Sequence, residues 1–180
     1  MKIILIGIQG AGKSTQGNLL SAKLGVPYLS TGHIFRQIAK EHSPLGRQIK
    51  VVMNAGLLIS DVKTMEIVSE YLSRPEYKKG YILDGFPRTL GQAEEFKNGI
   101  DQVFYLKISD KEALWRISGR DGEAREDETL MAVRKRIELF HTHTEPVLEY
   151  YRKKGLLVEV DGERNVEAIH VDIVSHLKES

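Results

Sequence analysis

Residues 3–14 run Ile3-Ile4-Leu5-Ile6-Gly7-Ile8-Gln9-Gly10-Ala11-Gly12-Lys13-Ser14. The first four form a continuous apolar run rich in β-branched side chains, the pattern of a strand covered on both faces. The next eight match G-x-x-x-x-G-K-[ST] in full. Leu19, Leu20 and Leu24 follow at helical spacing until Gly25-Val26-Pro27 ends the pattern. A strand, a glycine loop and a helix in this order build an anion cradle. The glycines let the backbone turn tightly and aim several N–H groups at phosphate oxygens, and the helix N-terminus adds positive potential. The expected ligand is a nucleoside triphosphate held by Gly10, Ala11, Gly12, Lys13, Ser14 and Thr15. Lys13 would reach the β- and γ-phosphates, and the Ser14 hydroxyl would face Mg²⁺. A chance glycine-rich turn is the competing reading, and it leaves the flanking strand and helix unexplained. The loop alone does not specify an acceptor.

Outward from the loop, Tyr81-Ile82-Leu83 ending at Asp84-Gly85, Val103–Ile108 and Leu156–Val160 are further apolar runs, separated by helix-like stretches. Alternation of this kind predicts an α/β fold with a mainly parallel sheet. Residues 30–59 carry helical patterns without a strand, punctuated by Ser43-Pro44 and Gly56, and read as a small helical insertion. Residues 119–129 are polar without apolar periodicity and read as a short lid. A long helical region from about Asp127 to Arg152 is expected to break near Pro146. The core would then comprise residues 1–29, 60–119 and 130–180, with the insertion at 30–59 and the lid at 120–129.

Composition sets outer limits. The chain has 180 residues, 41% hydrophobic and 28% charged, with a formal net charge of +1. A balance so near neutrality argues against a polyanion binder, so no nucleic-acid partner is expected. With no cysteines, disulfides and thiolate metal sites are excluded. No apolar run approaches the roughly 20 residues that span a bilayer, so no membrane partner is expected and the expected location is cytoplasmic.

Four further segments name an acceptor. Tyr28-Leu29-Ser30-Thr31-Gly32 with Arg36, Gly56-Leu57-Leu58-Ile59-Ser60-Asp61, Asp84-Gly85-Phe86-Pro87-Arg88-Thr89 and Gln92-Ala93-Glu94 resemble the signature segments of adenylate kinases, in that family's order and spacing. The similarity covers essentially the whole chain. It implies a P-loop NTPase fold with a five-stranded parallel sheet, and reversible Mg²⁺-dependent transfer of the ATP γ-phosphate to AMP, giving two ADP. A monomer acting on small-molecule nucleotides (ATP, AMP and ADP) is the family expectation. Carried over position by position, Arg36 and Arg88 would grip the AMP phosphate, a task suited to forked guanidinium groups. Thr31 and Gln92 would read the adenine base, Leu57, Leu58 and Ile59 would line its pocket, and Gly85, Phe86 and Pro87 would border it. Asp84, at a strand end, would hold Mg²⁺ through water.

The polar stretch and its flanks supply arginines. Arg116 and Arg120 lie one helical turn apart, followed by Arg125 and Arg136. This is similar to the short-lid form of the family, in which Arg116 and Arg120 serve the ATP side while Arg125 and Arg136 lie between the nucleotides. Asp127 would pair with lid arginines. The segment Val160–Arg164 resembles the stretch that touches the ATP adenine, which points to Arg164. Lys13, Arg88, Arg120, Arg125 and Arg136 form the expected catalytic set. By composition alone these charges read as a solvated, ion-paired surface, as Arg134 and Lys135 still do. Without Cys or His in the lid, no zinc is expected.

Three positions depart from the family pattern. His33 stands where the family usually has Asp, leaving two readings open: His33 faces solvent and Asp84 suffices, or metal use is altered. Ser14 replaces a usual Gly, and Glu128 a usual Asp. His141 and His143 carry no partner pattern. The alternatives to an adenylate kinase are a kinase for another monophosphate such as UMP or CMP, which this chain resembles less around Thr89–Gln92, and a nucleotide-binding regulatory protein with reduced catalysis.

Overall fold

The computed structural model describes residues 1–119 and 127–177. Five strands form one all-parallel sheet: β1 (Lys2–Ile6), β2 (Tyr28–Ser30), β3 (Tyr81–Asp84), β4 (Gln102–Lys107) and β5 (Leu157–Asp161), in the order β2-β3-β1-β4-β5. Ile3, Ile4, Leu5, Ile82, Leu83, Val103 and Phe104 are essentially inaccessible, as expected for strands covered on both faces. Apolar patterning finds four of these strands. β2 escapes it because three residues are too few to show a period, and it is held by register, with Leu29 opposite Leu83 and Ser30 opposite Asp84.

Nine α-helices are present among the described residues: α1 (Lys13–Leu24), α2 (Thr31–Ala39), α3 (Pro44–Asn54), α4 (Asp61–Leu72), α5 (Leu90–Glu95), α6 (Asp110–Ser118), α7 (Leu130–Leu139), α8 (Glu145–Lys153) and α9 (Val166–Ser175). Their starts are chemically marked. Ser30, Ser43, Ser60, Thr89, Ser109, Thr129 and Asn165 each accept a hydrogen bond from a backbone N–H in the first turn of the helix that follows. Such a cap is worth about 1 kcal/mol. α1 differs: its cap is Gly12 at φ 87°, which has no side chain to accept from the first turn.

The expected break near Pro146 is found one turn earlier. Phe140–Thr144 is a π-turn in which the Glu145 N–H donates to the Phe140 carbonyl, five residues back. Proline has no N–H to continue the ordinary ladder, and the widened turn before it absorbs the mismatch between α7 and α8.

Parallel pairing aligns the strand ends. Leu5 lies opposite Asp84 and Asp84 opposite Ser30, so the segments leaving β1, β2 and β3 emerge side by side. In open parallel sheets, ligands bind in the crevice outside these carboxyl ends.

Candidate active site

A cleft of about 740 Å³ opens at those ends. Its floor is the glycine loop. Gly7 leaves no room for a side chain, since a Cβ there would come within 2.8 Å of the Leu106 carbonyl oxygen. Gly10 and Gly12 hold φ of 92° and 87°, a region that side-chain-bearing residues avoid. The Lys13 ammonium donates to the carbonyls of Gly7 and Ile8 at 2.7 and 3.0 Å, which folds it along the loop's inner wall. Ser14 and Thr15 stand exposed at the mouth.

Asp84 ends β3 in the cleft wall and is buried. One carboxylate oxygen, Oδ2, accepts from the Tyr28 hydroxyl at 2.7 Å. The other, Oδ1, is buried without a protein partner, and an orphan of this kind calls for an ordered water or a hydrated cation. Burial, then the charge of Asp84, push the Tyr28 phenol well above its ordinary pKa, so it stays a donor. Gly17 makes this contact possible: a Cβ there would lie 2.3 Å from the Tyr28 ring. Tyr28 and Gly17 are site residues that sequence reasoning missed. The available signals were a glycine in a helical pattern and the place of Tyr28 in a segment that resembles the family, neither of which names a partner for the hydroxyl.

Arg88 is held through both its backbone and its side chain. Its backbone N–H donates to Gln92 Oε1 at 2.8 Å, its carbonyl accepts from the Thr144 hydroxyl at 2.9 Å, and its Nε donates to the Gly85 carbonyl at 2.8 Å. The π-turn thus has a purpose at the site, since it delivers Thr144. Gly85, at φ 80°, lets the guanidinium and the Thr31 hydroxyl approach. A Cβ there would lie 2.6 Å from Thr31 Oγ1 and 3.3 Å from Arg88 Nη2. Burial lowers the Arg88 pKa. Asp84 opposes the shift, and the positive charges of Arg136 and Arg36 add to it. Arg36, Arg88 and Arg136 all line the cleft, and three guanidinium groups around one cavity suit an anion. Thr31 lies beneath, donating to the Asp84 carbonyl at 3.2 Å, while Arg36 reaches the cleft past Gly32.

Arg136 ties three elements together. It donates to Gln9 Oε1 at 3.0 Å, to the Met53 carbonyl at 2.8 Å and to Asp127 Oδ2 at 2.8 Å. Asp127 therefore pairs with an arginine of α7. Gln9 in turn donates to Glu128 Oε1 at 2.8 Å, joining the phosphate loop to the segment before α7. Gln9 and Met53 were also missed, since contacts across the fold leave no local trace in the sequence.

The remaining expected residues divide. Leu57, Leu58, Ile59, Phe86, Pro87 and Gln92 line the same cleft as Arg36 and Arg88. Arg116 and Arg164 line it too, each held by a carboxylate: Arg116 by Glu112 at 2.6 Å, Arg164 by Asp172. Arg120 and Arg125 lie outside the described residues. His33 is exposed, with its ring nitrogen 3.4 Å from Gln37 Nε2, and is not part of the cleft wall. His141 has partners that the sequence did not reveal: Asp110 at 2.9 Å and Glu145 at 2.5 Å.

Comparison with known proteins adds the deciding observation. The family model described as adenylate kinase matches residues 5–156. The chain belongs to the adenylate kinase family. The adenylate kinase of Caldicellulosiruptor bescii is 37% identical, covering 92% of this chain and 94% of its own. That of Methanocella arvoryzae is 33% identical over 99% of both, and that of Treponema denticola 36% over 90% and 92%. Those alignments run to 201, 213 and 192 positions against the 180 residues here, so these adenylate kinases carry segments that this one lacks.

Proposed function

We propose that this adenylate kinase family member transfers the γ-phosphoryl group of ATP to AMP in the cleft at the ends of β1, β2 and β3. The observation that carries the reading is a single cleft lined both by the glycine loop and by Arg36, Arg88 and Arg136. ATP lies along Gly10–Thr15, with Arg116, Arg120 and Arg164 on its side. AMP lies between Arg36 and Arg88, its base against Thr31, Leu57, Leu58, Ile59 and Gln92. Residues 30–59 act as the monophosphate-binding insertion and residues 120–129 as the lid.

The chemistry asks little of acid–base groups. An AMP phosphate oxygen attacks the γ-phosphorus, the bond from that phosphorus to the β–γ bridging oxygen breaks, and two ADP result. The attacking oxygen is already ionised near neutrality, because the second phosphate pKa is about 6. The protein's part is positioning and charge stabilisation. Lys13 meets the leaving β-phosphate, and Arg88 and Arg136, with Arg120 and Arg125, surround the transferring group. Ser14, and Asp84 Oδ1 through water, would hold the Mg²⁺ that accompanies ATP, which would neutralise phosphate charge. Closure of the lid and insertion excludes water, which would otherwise take the phosphoryl group.

A coupled assay with ATP and each of AMP, UMP, CMP, GMP and dTMP tests the reading. AMP is expected to give the highest kcat/KM by at least about 10²-fold, a lower bound, since sites built to hydrogen-bond a substrate group can discriminate by about 10⁴-fold. Preference for UMP or CMP would overturn the acceptor. Nucleotide binding without turnover for any acceptor would leave a regulatory protein.

A further inference from the structure

We infer that Asp61 is a positioning residue that fixes which way round the Gln92 amide faces the acceptor base, and so sets discrimination between 6-amino and 6-oxo purine monophosphates. The inference rests on the reading that Gln92 meets the base of AMP.

A side-chain amide presents an acceptor and a donor that exchange places when it flips. Gln92 is buried, and each end of its amide meets a partner of one kind only. Gln92 Nε2 donates to Asp61 Oδ1 at 2.7 Å, and a carboxylate can only accept. Gln92 Oε1 accepts from the Arg88 backbone N–H at 2.8 Å, which can only donate. A flip would break both bonds and set donor against donor and acceptor against acceptor. The amide keeps one N–H on Nε2 and one lone pair on Oε1 for a ligand. That pair complements the ring nitrogen acceptor and exocyclic amino donor of adenine. A 6-oxo purine has a carbonyl acceptor and a ring N–H donor in the same places, so it meets the pair reversed.

Asp61 is itself held for this task. Its second oxygen accepts from the Thr89 hydroxyl at 2.8 Å, and Thr89 caps the helix that carries Gln92. Asp61 also begins α4, where a negative charge is favoured by the helix N-terminus. Gly91 leaves space for the approach: a Cβ there would sit 3.3 Å from Asp61 Oδ2. The carboxylate is therefore aimed at Gln92 from a fixed base, although Asp61 itself is solvent-exposed.

Equilibrium titration of the wild-type, D61N, D61A and Q92A proteins with AMP and with inosine monophosphate tests this. The D61N side chain can offer an N–H where the carboxylate could only accept, and D61A leaves no polar group at all. Both changes should weaken AMP about tenfold and narrow the AMP-to-inosine-monophosphate preference about tenfold, the scale of one charge-assisted hydrogen bond. A purely structural role for Asp61 would lower the melting temperature and leave that preference unchanged, which would overturn the inference. If Q92A narrows the preference while D61N and D61A do not, base reading by Gln92 stands and the role of Asp61 falls. If Q92A also leaves the preference unchanged, both fall.

Discussion

Tyr28 shows how much one side chain can decide. Its hydroxyl satisfies one oxygen of a buried carboxylate and leaves the other toward the cleft. The Y28F substitution keeps the ring against Gly17 and removes the donor. The expected cost is about 1–3 kcal/mol in folding stability, measured as a shift in urea midpoint at constant m-value, because Asp84 then has no partner for either oxygen. An unchanged midpoint would show that water replaces the hydroxyl at no cost. At this scale the sequence was legible where a motif fixes a residue's place. Lys13 and Ser14 were picked out by the loop, Arg36 and Arg88 by the segments that resemble the family, and all four line the cleft. Tyr28, Gln9 and Asp61 were not legible as site residues, because their partners lie 56, 119 and 127, and 28 and 31 positions away.

Between elements, two contacts carry testable weight. Gly56 at φ 72° lets the end of α3 touch α7: a Cβ there would come within 2.4 Å of the Ala132 carbonyl oxygen. G56A is expected to destabilise by about 1–3 kcal/mol, since backbone must move and the conformation is strained. Denaturant unfolding measures this. The displacement should also weaken the bond from Arg136 to the Met53 carbonyl. The second contact is His141, which joins the start of α6 to the start of α8 through Asp110 and Glu145. Hydrogen bonds to Glu145 and Asp110 raise its pKa. Its contribution is therefore full below the unfolded value, about 6.5, and is lost as pH rises through the higher folded value. With all three side chains close to half exposed, the effect should be only a few tenths of a kcal/mol and should fade with salt. H141Q should flatten stability between pH 6 and 8, and an identical pH slope in both proteins would refute the assignment. The Ser, Thr and Asn residues that cap the helix starts are of the types that favour that position. The π-turn was not, because proline announces a break without saying which turn absorbs it.

For the molecule as a whole, the two proposed nucleotide sites share Arg136 and the loop it binds. A non-hydrolysable ATP analogue and AMP should together raise the melting temperature more than either does alone. Each saturating ligand adds about 2.7 kcal/mol at a hundred times its dissociation constant. A combined shift equal to the larger single shift would mean one site, not two. The overall architecture was legible from a few strong signals, namely the loop in its strand–helix setting and the apolar strand runs. The short β2 needed the assembled sheet.

The strand order also bears on how the protein behaves when crowded. A sheet ends in two rows of unpaired backbone groups, which invite strands from other molecules. Here one border is β2, only three residues long. The other is β5, where Glu159 is flanked by Arg152 and Lys107 and Asp161 is exposed. One border is too short to serve as a template and the other is guarded by charge, so strand-to-strand stacking into aggregates is disfavoured at both.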